Sequence, residues 1–209
     1  MPDQYTDLFR REGEAEPEVF WAGNLELLKQ PSVSVIGARE ASPEGRSRAT
    51  RIARELAKAG ANIVSGLAAG IDTAAHLGAM SVGGPTAAVI GTPIDKVYPS
   101  ENASLQEEIA AQYLLISQFP QGTKTYPSDF PKRNRLMAAL TDASIIVEAS
   151  DTSGTLHQAK ECVRLGRWLF IMRSVVEDTR LSWPERFLRE PMVRVLTEPK
   201  DVFSALRLA

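Results

Sequence analysis

Three observations in the sequence predict an α/β fold, a mainly parallel sheet with helices on both faces. Short runs rich in Val and Ile alternate with helical stretches between residues 32 and 172, the signature of βαβ units. The longest helical stretch carries an apolar stripe at helix spacing. Four of the expected strands end in loops of small residues, as strands of an open parallel sheet do where they turn into helices.

Taken in order, residues 1–30 are acidic at first and then carry Val19, Phe20, Trp21, Leu25, Leu27 and Leu28. They predict a frayed start and one docking segment, an amino-terminal extension ahead of a single domain over residues 31–209. Strands are expected at 32–36, 61–66, 85–91, 113–119, 143–150 and 168–172. Helices are expected near 43–59, 73–84, 103–112, 130–141 and 155–166, with right-handed crossovers. In the first of them Ala49, Ile52, Ala53 and Leu56 fall at i, i+3, i+4 and i+7 and form one buried stripe. Arg51, Arg54 and Lys58 lie opposite, as a solvated basic face. After Met172 the alternation weakens, leaving a short run at 193–196 and a last helix running toward residue 209. No second domain, internal repeat or low-complexity tract is visible.

Composition narrows the function. The 209 residues are 44% apolar, enough for a real core. Twenty-four Lys and Arg against 26 Asp and Glu leave a formal charge of −2, so any nucleic-acid contact must come from a local patch. One cysteine, Cys162, and two histidines cannot form a disulfide within the chain or fill a His/Cys zinc site. The polar opening and the lack of a long apolar run point to a soluble, cytoplasmic protein with no membrane contact.

The small-residue loops are Gly37-Ala38-Arg39, the stretch from Ser65 and Gly66 through Ala68 and Ala69 to Gly70, then Gly91-Thr92, and Ser153-Gly154-Thr155. At the carboxyl edge of a parallel sheet they gather beside helix amino ends, whose free N–H groups attract anions, and a phosphate-binding crevice follows. None matches GxGxxG, the Walker pattern or GxSxG, which removes support for a dinucleotide dehydrogenase, a P-loop NTPase and the simplest serine hydrolase. Asp72 is expected to cap its helix or to accept a hydrogen bond from a ligand. His76, one turn on, reads as an imidazole pinned by a neighbouring carboxylate rather than as half of a metal pair. Cys162 reads as a small apolar residue.

Residues 119–135 form a second informative stretch. Three prolines and a glycine suggest an ordered loop, and Ser128 or Asp129 with Pro131 suggests a helix start. Lys132, Arg133 and Arg135 would then sit where the helix dipole disfavours cations, a cost that a bound polyanion reverses. Phe119, Tyr126 and Phe130 are available for stacking on unpaired bases.

These stretches together resemble the DNA-processing protein A family, also called DprA or Smf. The matching residues are Val35 to Arg39 with Ala41-Ser42-Pro43 and Gly45, then Val64 to Asp72 with Ala74-Ala75-His76. Further on come Gly91-Thr92, Asp95, Tyr98-Pro99, Asn102, Phe119-Pro120, Gly122, Phe130-Pro131, Arg133-Asn134-Arg135, Val147-Glu148-Ala149 and Ser153-Gly154. The resemblance implies an extended Rossmann-like domain with a positively charged pocket for single-stranded DNA. It also implies help in passing the strand to the RecA recombinase during natural transformation or recombination, a possible homodimer, no cofactor and no catalysis. By carry-over Gly37, Arg39, Ser65, Gly66, Gly70, Asp72, Lys132, Arg133, Asn134, Arg135, Ser153 and Gly154 would make the DNA site. Three features depart from the family: Ala69 stands where Arg is usual, Gln118 where Glu is usual, and the family's helical amino-terminal and winged-helix carboxyl-terminal domains have no counterpart here.

A competing reading uses the same crevice for a nucleotide, as a sensor or as a phosphoribohydrolase. The hydrolase motif is reduced here to Ser153-Gly154-Thr155 after Glu148. A third reading, a scaffold with a vestigial crevice, rests on Ala69.

Overall fold

The computed structural model describes residues 18–208. The start for which the sequence predicts fraying, residues 1–17, lies outside the described residues. Eight strands form one sheet in the order β1-β5-β4-β3-β2-β6-β7-β8. They are β1 (Phe20–Gly23), β2 (Ser32–Gly37), β3 (Asn62–Ser65), β4 (Thr86–Ile90), β5 (Leu114–Ser117), β6 (Ala143–Glu148), β7 (Trp168–Met172) and β8 (Val193–Leu196). All neighbouring pairs are parallel except β1 with β5. The docking segment expected at Val19-Phe20-Trp21 is therefore an antiparallel edge strand, and the sheet already begins inside the stretch set aside as an extension. A 3-10 helix, Leu25–Lys29, links β1 to β2.

The long helices are α1 (Pro43–Lys58), α2 (Ile71–Met80), α3 (Ala103–Gln112), α4 (Asp129–Ala139) and α5 (Thr155–Arg164). Shorter ones, α6 (Arg173–Val176) and α7 (Trp183–Phe187), precede β8, and α8 (Pro199–Leu206) follows it. Sequence order runs outward on one side of β2 through β3, β4 and β5, then returns to β6 on the other side. Right-handed crossovers consequently place α1 and α2 on one face and α4 and α5 on the opposite face. The packing agrees, since α1 lies on α2 and α4 on α5. In α1 the predicted stripe of Ala49, Ile52, Ala53 and Leu56 is buried.

The interior strands are buried on both faces, as a covered parallel sheet requires, while the edge strands β1 and β8 are partly exposed. One large core spans the centre of the sheet, and a smaller one under α3 gathers Leu67, Ala88, Ile90, Leu105, Ile109 and Leu115. Strand order reverses between β2 and β6, so their carboxyl ends diverge into crossovers on opposite faces and leave a crevice. No helix among the described residues is long and apolar enough to cross a membrane.

Candidate nucleic-acid interface

A cleft of about 980 Å³ opens at that switch point. Its walls are the β2–α1 loop with Gly37 and Arg39, the start of α4 with Phe130, Arg133 and Asn134, and the β6–α5 loop with Ser153 and Gly154. Asp72 contributes from α2, while Asp178 and Arg180 close the far end. Four arginines (Arg39, Arg48, Arg133, Arg180) meet four carboxylates (Glu40, Asp72, Glu148, Asp178) in this lining. The balance departs from the uniformly positive pocket that the family resemblance implies, so anion attraction must come from whichever arginines are free.

Arg133 is not free. It is 5% exposed, and its Nη1 donates to the carbonyl oxygens of Gly66 and, at 2.6 Å, of Val89. Its Nε donates to Asn134 Oδ1 at 2.9 Å, and Asn134 Nδ2 donates to Gly154 O at 3.2 Å. The chain of bonds ties the ends of β3 and β4 to the β6–α5 loop. A Cβ at Gly66 would overlap the Arg133 guanidinium, so that glycine serves the arginine rather than a phosphate.

Asp72 is buried nearby and accepts from the N–H groups of Gly66 at 3.1 Å and Ala68 at 3.4 Å. Burial pushes its carboxyl above the ordinary range, with the Arg133 charge and those amides pulling the other way. It does not cap α2, whose N-cap is Gly70 at φ +78°. His76 also departs from expectation, because its Nδ1 meets Thr86 Oγ1 at 2.8 Å instead of a carboxylate. Thr86 spends its own hydrogen on Ile63 O at 2.7 Å, so the histidine proton sits on Nδ1 and Nε2 is left without a partner. Burial, aided by the Arg133 charge, holds His76 down to about 3.

Helix amino ends are less available than the sequence suggests. At α1, Ser42 Oγ accepts from Gly45 N at 2.9 Å and donates to Glu148 Oε2 at 2.7 Å, while Glu148 Oε1 takes Ser42 N at 3.1 Å. The carboxylate of Glu148 thus occupies the place a phosphate would take. At α2, Ile71 N and Thr73 N donate to Ala38 O and Ala68 O. At α4, Asp129 lies in the first turn and pairs with Lys132 at 3.0 Å, offsetting the dipole penalty on that cation. At α5, Thr155 N donates to Ser153 Oγ at 3.2 Å, and Ser153 N, Leu156 N and His157 N donate to Ser150 O, Ser153 O and Gly154 O, which leaves Gly154 N, on the cleft lining, as the amide of that turn without an acceptor among the described residues.

The exposed cation at the mouth is Arg39, whose guanidinium carbon lies 5.1 Å from the Phe130 ring centroid. Phe130 in turn fills the space beside Gly91, where a Cβ would come within 2.7 Å of the ring. Of the predicted site residues, the cleft brings together Gly37, Arg39, Asp72, Arg133, Asn134, Ser153 and Gly154. Ser65 is sealed beneath, its hydroxyl donating to Val35 O at 2.7 Å. Gly70 faces a second cavity of about 400 Å³, shared with Ala69, Arg46 and Thr73. Lys132 and Arg135 project from α4 to solvent outside the cleft lining. Because Ala69 also lies on the second cavity, the missing arginine at that position leaves the cleft lining unchanged.

Sequence reasoning quoted Glu148 and Tyr98 among the family-matching stretches but gave them no place in the site, and it did not single out Arg48. Glu148 and Arg48 become meaningful only once β6 is known to lie beside β2, which places Glu148 against the start of α1. Tyr98 stands 5.5 Å from the Phe130 ring, a contact no local pattern announces. Cys162 is buried, and burial pushes its thiol up to about 12, in keeping with a packing role.

The family model for DNA recombination-mediator protein A matches residues 2–207. The chain belongs to this family. The DNA processing protein DprA of Streptococcus pneumoniae is 37% identical over 186 residues, covering 89% of this chain and 65% of that protein. Protein Smf of Synechocystis is 39% identical over 158 residues, covering 74% of this chain and 40% of that one. This member of the recombination-mediator family thus spans less than two thirds of these relatives' length. Among solved structures, DNA processing protein A of Helicobacter pylori, a single-stranded DNA binder, superposes with a TM-score of 0.83 at 28% identity, covering 99% of this chain and 93% of that one. A molybdenum cofactor carrier protein of Chlamydomonas reinhardtii, with a TM-score of 0.58 at 16% identity over 85% of this chain and 96% of that one, shares the fold alone.

Proposed function

We propose that the protein binds single-stranded DNA in the switch-point cleft, protects it, and assists its loading onto RecA recombinase in recombination or natural transformation, acting as a homodimer. The observation that carries the reading is Arg39, an exposed guanidinium held over Phe130 at the mouth of a cleft that the amino end of α5 also lines. Family membership and the DNA-binding relative support it. Arg39 and the Ser153–Thr155 turn would hold phosphates, while the buried Arg133 network keeps the two walls at fixed separation.

With few free cations, the salt dependence should be shallow. Neutralising about three phosphates of a single strand gives a log–log slope near −2, at about −0.7 per phosphate. Fluorescence anisotropy with an oligothymidine at two salt concentrations measures it. Arg39→Ala should weaken binding severalfold for every base sequence and flatten the slope by about 0.7. Absence of binding even at low salt removes the proposal. Assistance to the recombinase is read separately, as RecA strand exchange with and without the protein, and dimerisation by sedimentation.

A further inference from the structure

Beyond the cleft, the loops after β4 and β5 meet in a ledge that carries two exposed rings, Tyr98 at 45% and Tyr126 at 57% exposure. A single exposed ring is ordinary, but grouped rings beside a binding cleft are not: Tyr98 meets the Phe130 ring at 5.5 Å, and Tyr126 N bonds to Asp129, the residue before Phe130. Phe130 is itself unavailable, since Arg39 covers it and it packs over Gly91 and against Tyr98. Of the rings on these two loops, Phe119 is half-buried and the exposed ones are the tyrosines.

The ledge is held in shape by its own bonds. Thr92 Oγ1 and Gln106 Nε2 donate to Lys96 O at 3.0 and 3.3 Å, fixing the first loop. Lys96 Nζ donates to Thr125 Oγ1 at 3.3 Å, and Gly122 N to Asp95 Oδ2 at 3.2 Å, joining the first loop to the second. Tyr126 N donates to Asp129 Oδ2 at 2.8 Å, which anchors the second loop to α4. Rings presented on a fixed ledge pay little ordering entropy when a ligand arrives. The flanking cations are Lys96 and Lys124, both exposed, and the exposed Asp95 carboxylate beside Lys96 is engaged by Gly122 N.

We propose that this ledge is a stacking track for the unpaired nucleotides adjoining those in the cleft, with bases on Tyr98 and Tyr126 and phosphates facing Lys96 and Lys124. The inference rests on the single-strand reading of the cleft and adds the direction in which the strand runs, across α4 toward the β5–α4 loop. Aromatic rings flanked by cations fit single strands because every base offers a face, whereas paired bases hide theirs.

The test compares an oligothymidine of about four nucleotides, enough for the cleft, with one of about fourteen that also reaches the ledge. Tyr126→Ala should weaken the longer strand by about fivefold or more and leave the shorter one unchanged. Tyr126→Phe should restore binding, since stacking needs the ring and not the hydroxyl. Lys124→Ala should flatten the salt slope for the longer strand alone. Unchanged affinity of Tyr126→Ala for the longer strand overturns the track. So does unchanged affinity together with a loss of oligomers in sedimentation, which would assign the ledge to a protein contact. If the unaltered protein binds neither strand, the cleft reading fails and the track falls with it; binding of both strands with no effect of Tyr126→Ala removes the track alone.

Discussion

Arg133 is a cation at a candidate DNA site whose hydrogen bonds all run inward. Its Nη1 satisfies two carbonyl oxygens at the ends of the neighbouring strands β3 and β4, and its charge faces a buried Asp72. Truncation leaves those oxygens without a donor and the carboxylate without compensation, which costs about 3–5 kcal/mol for a broken buried charge arrangement. In urea unfolding, Arg133→Met should lower the midpoint sharply, whereas Arg39→Ala should leave the unfolding free energy within about 0.5 kcal/mol of the unaltered protein while weakening DNA binding. Equal stability of the two variants would show that Arg133 does not brace the cleft. The sequence placed both residues at the site but could not divide the labour between them. Two arginines near glycine loops look alike until packing reveals which glycine lacks a Cβ to make room for a guanidinium, as Gly66 does. Gly37 is similar: a Cβ there would press on Ile71 Cγ1 at 2.6 Å and Glu148 O at 2.8 Å, so close packing explains it without a phosphate.

At the level of elements, the start of α1 shows how an internal carboxylate can take an anion's place. Glu148, at the end of β6, accepts from Ser42 N and Ser42 Oγ and adds a negative charge beside the helix amino end, while Arg48 lies 3.8 Å away. Glu148→Gln keeps the shape and removes the charge. It should cost about 1 kcal/mol of stability, the usual worth of a carboxylate at a helix amino end. It should also tighten single-strand binding, because the cleft loses one of its four carboxylates and the end of α1 becomes attractive to phosphate. A change of both quantities in the same direction would contradict this account, with thermal melting and anisotropy as the measurements. The parallel strands and long helices were legible because apolar runs and helix-period stripes are local signals. Strand β1 was not, since its four residues carry an alternating exposure and pair with a partner, β5, about ninety residues away. Nor was the pairing of β6 with β2 written in any local pattern, and with it went the role of Glu148.

For the molecule as a whole, the groups tying the sheet to its helices make stability depend on pH. His76 titrates at about 3 in the folded chain against 6.5 when unfolded, because charging it would place a cation among buried residues beside Arg133. The folded value is depressed, so the unfolded chain binds more protons between pH 6.5 and 3, and stability is lost as pH falls through that window. From pH 7.5 to 5.5 the loss from this one residue is about 1.4 kcal/mol, and it continues at about 1.4 kcal/mol per pH unit below that, where the unfolded imidazole is protonated. Asp72 acts with the opposite sign, since its folded value is raised, and it begins to return stability only as the pH nears that value. Urea unfolding at the two pH values should show the loss for the unaltered protein and a flatter profile for His76→Asn, whose amide nitrogen can keep the donation to Thr86. A variant with the same pH profile as the unaltered protein would move the dependence to other groups. Because His76 stays neutral in the folded chain down to about pH 3, the loss over this window comes from protons taken up by the unfolded chain and leaves the folded cleft braced, so single-strand affinity, read by anisotropy at pH 7.5 and 5.5, should hold while the urea midpoint falls.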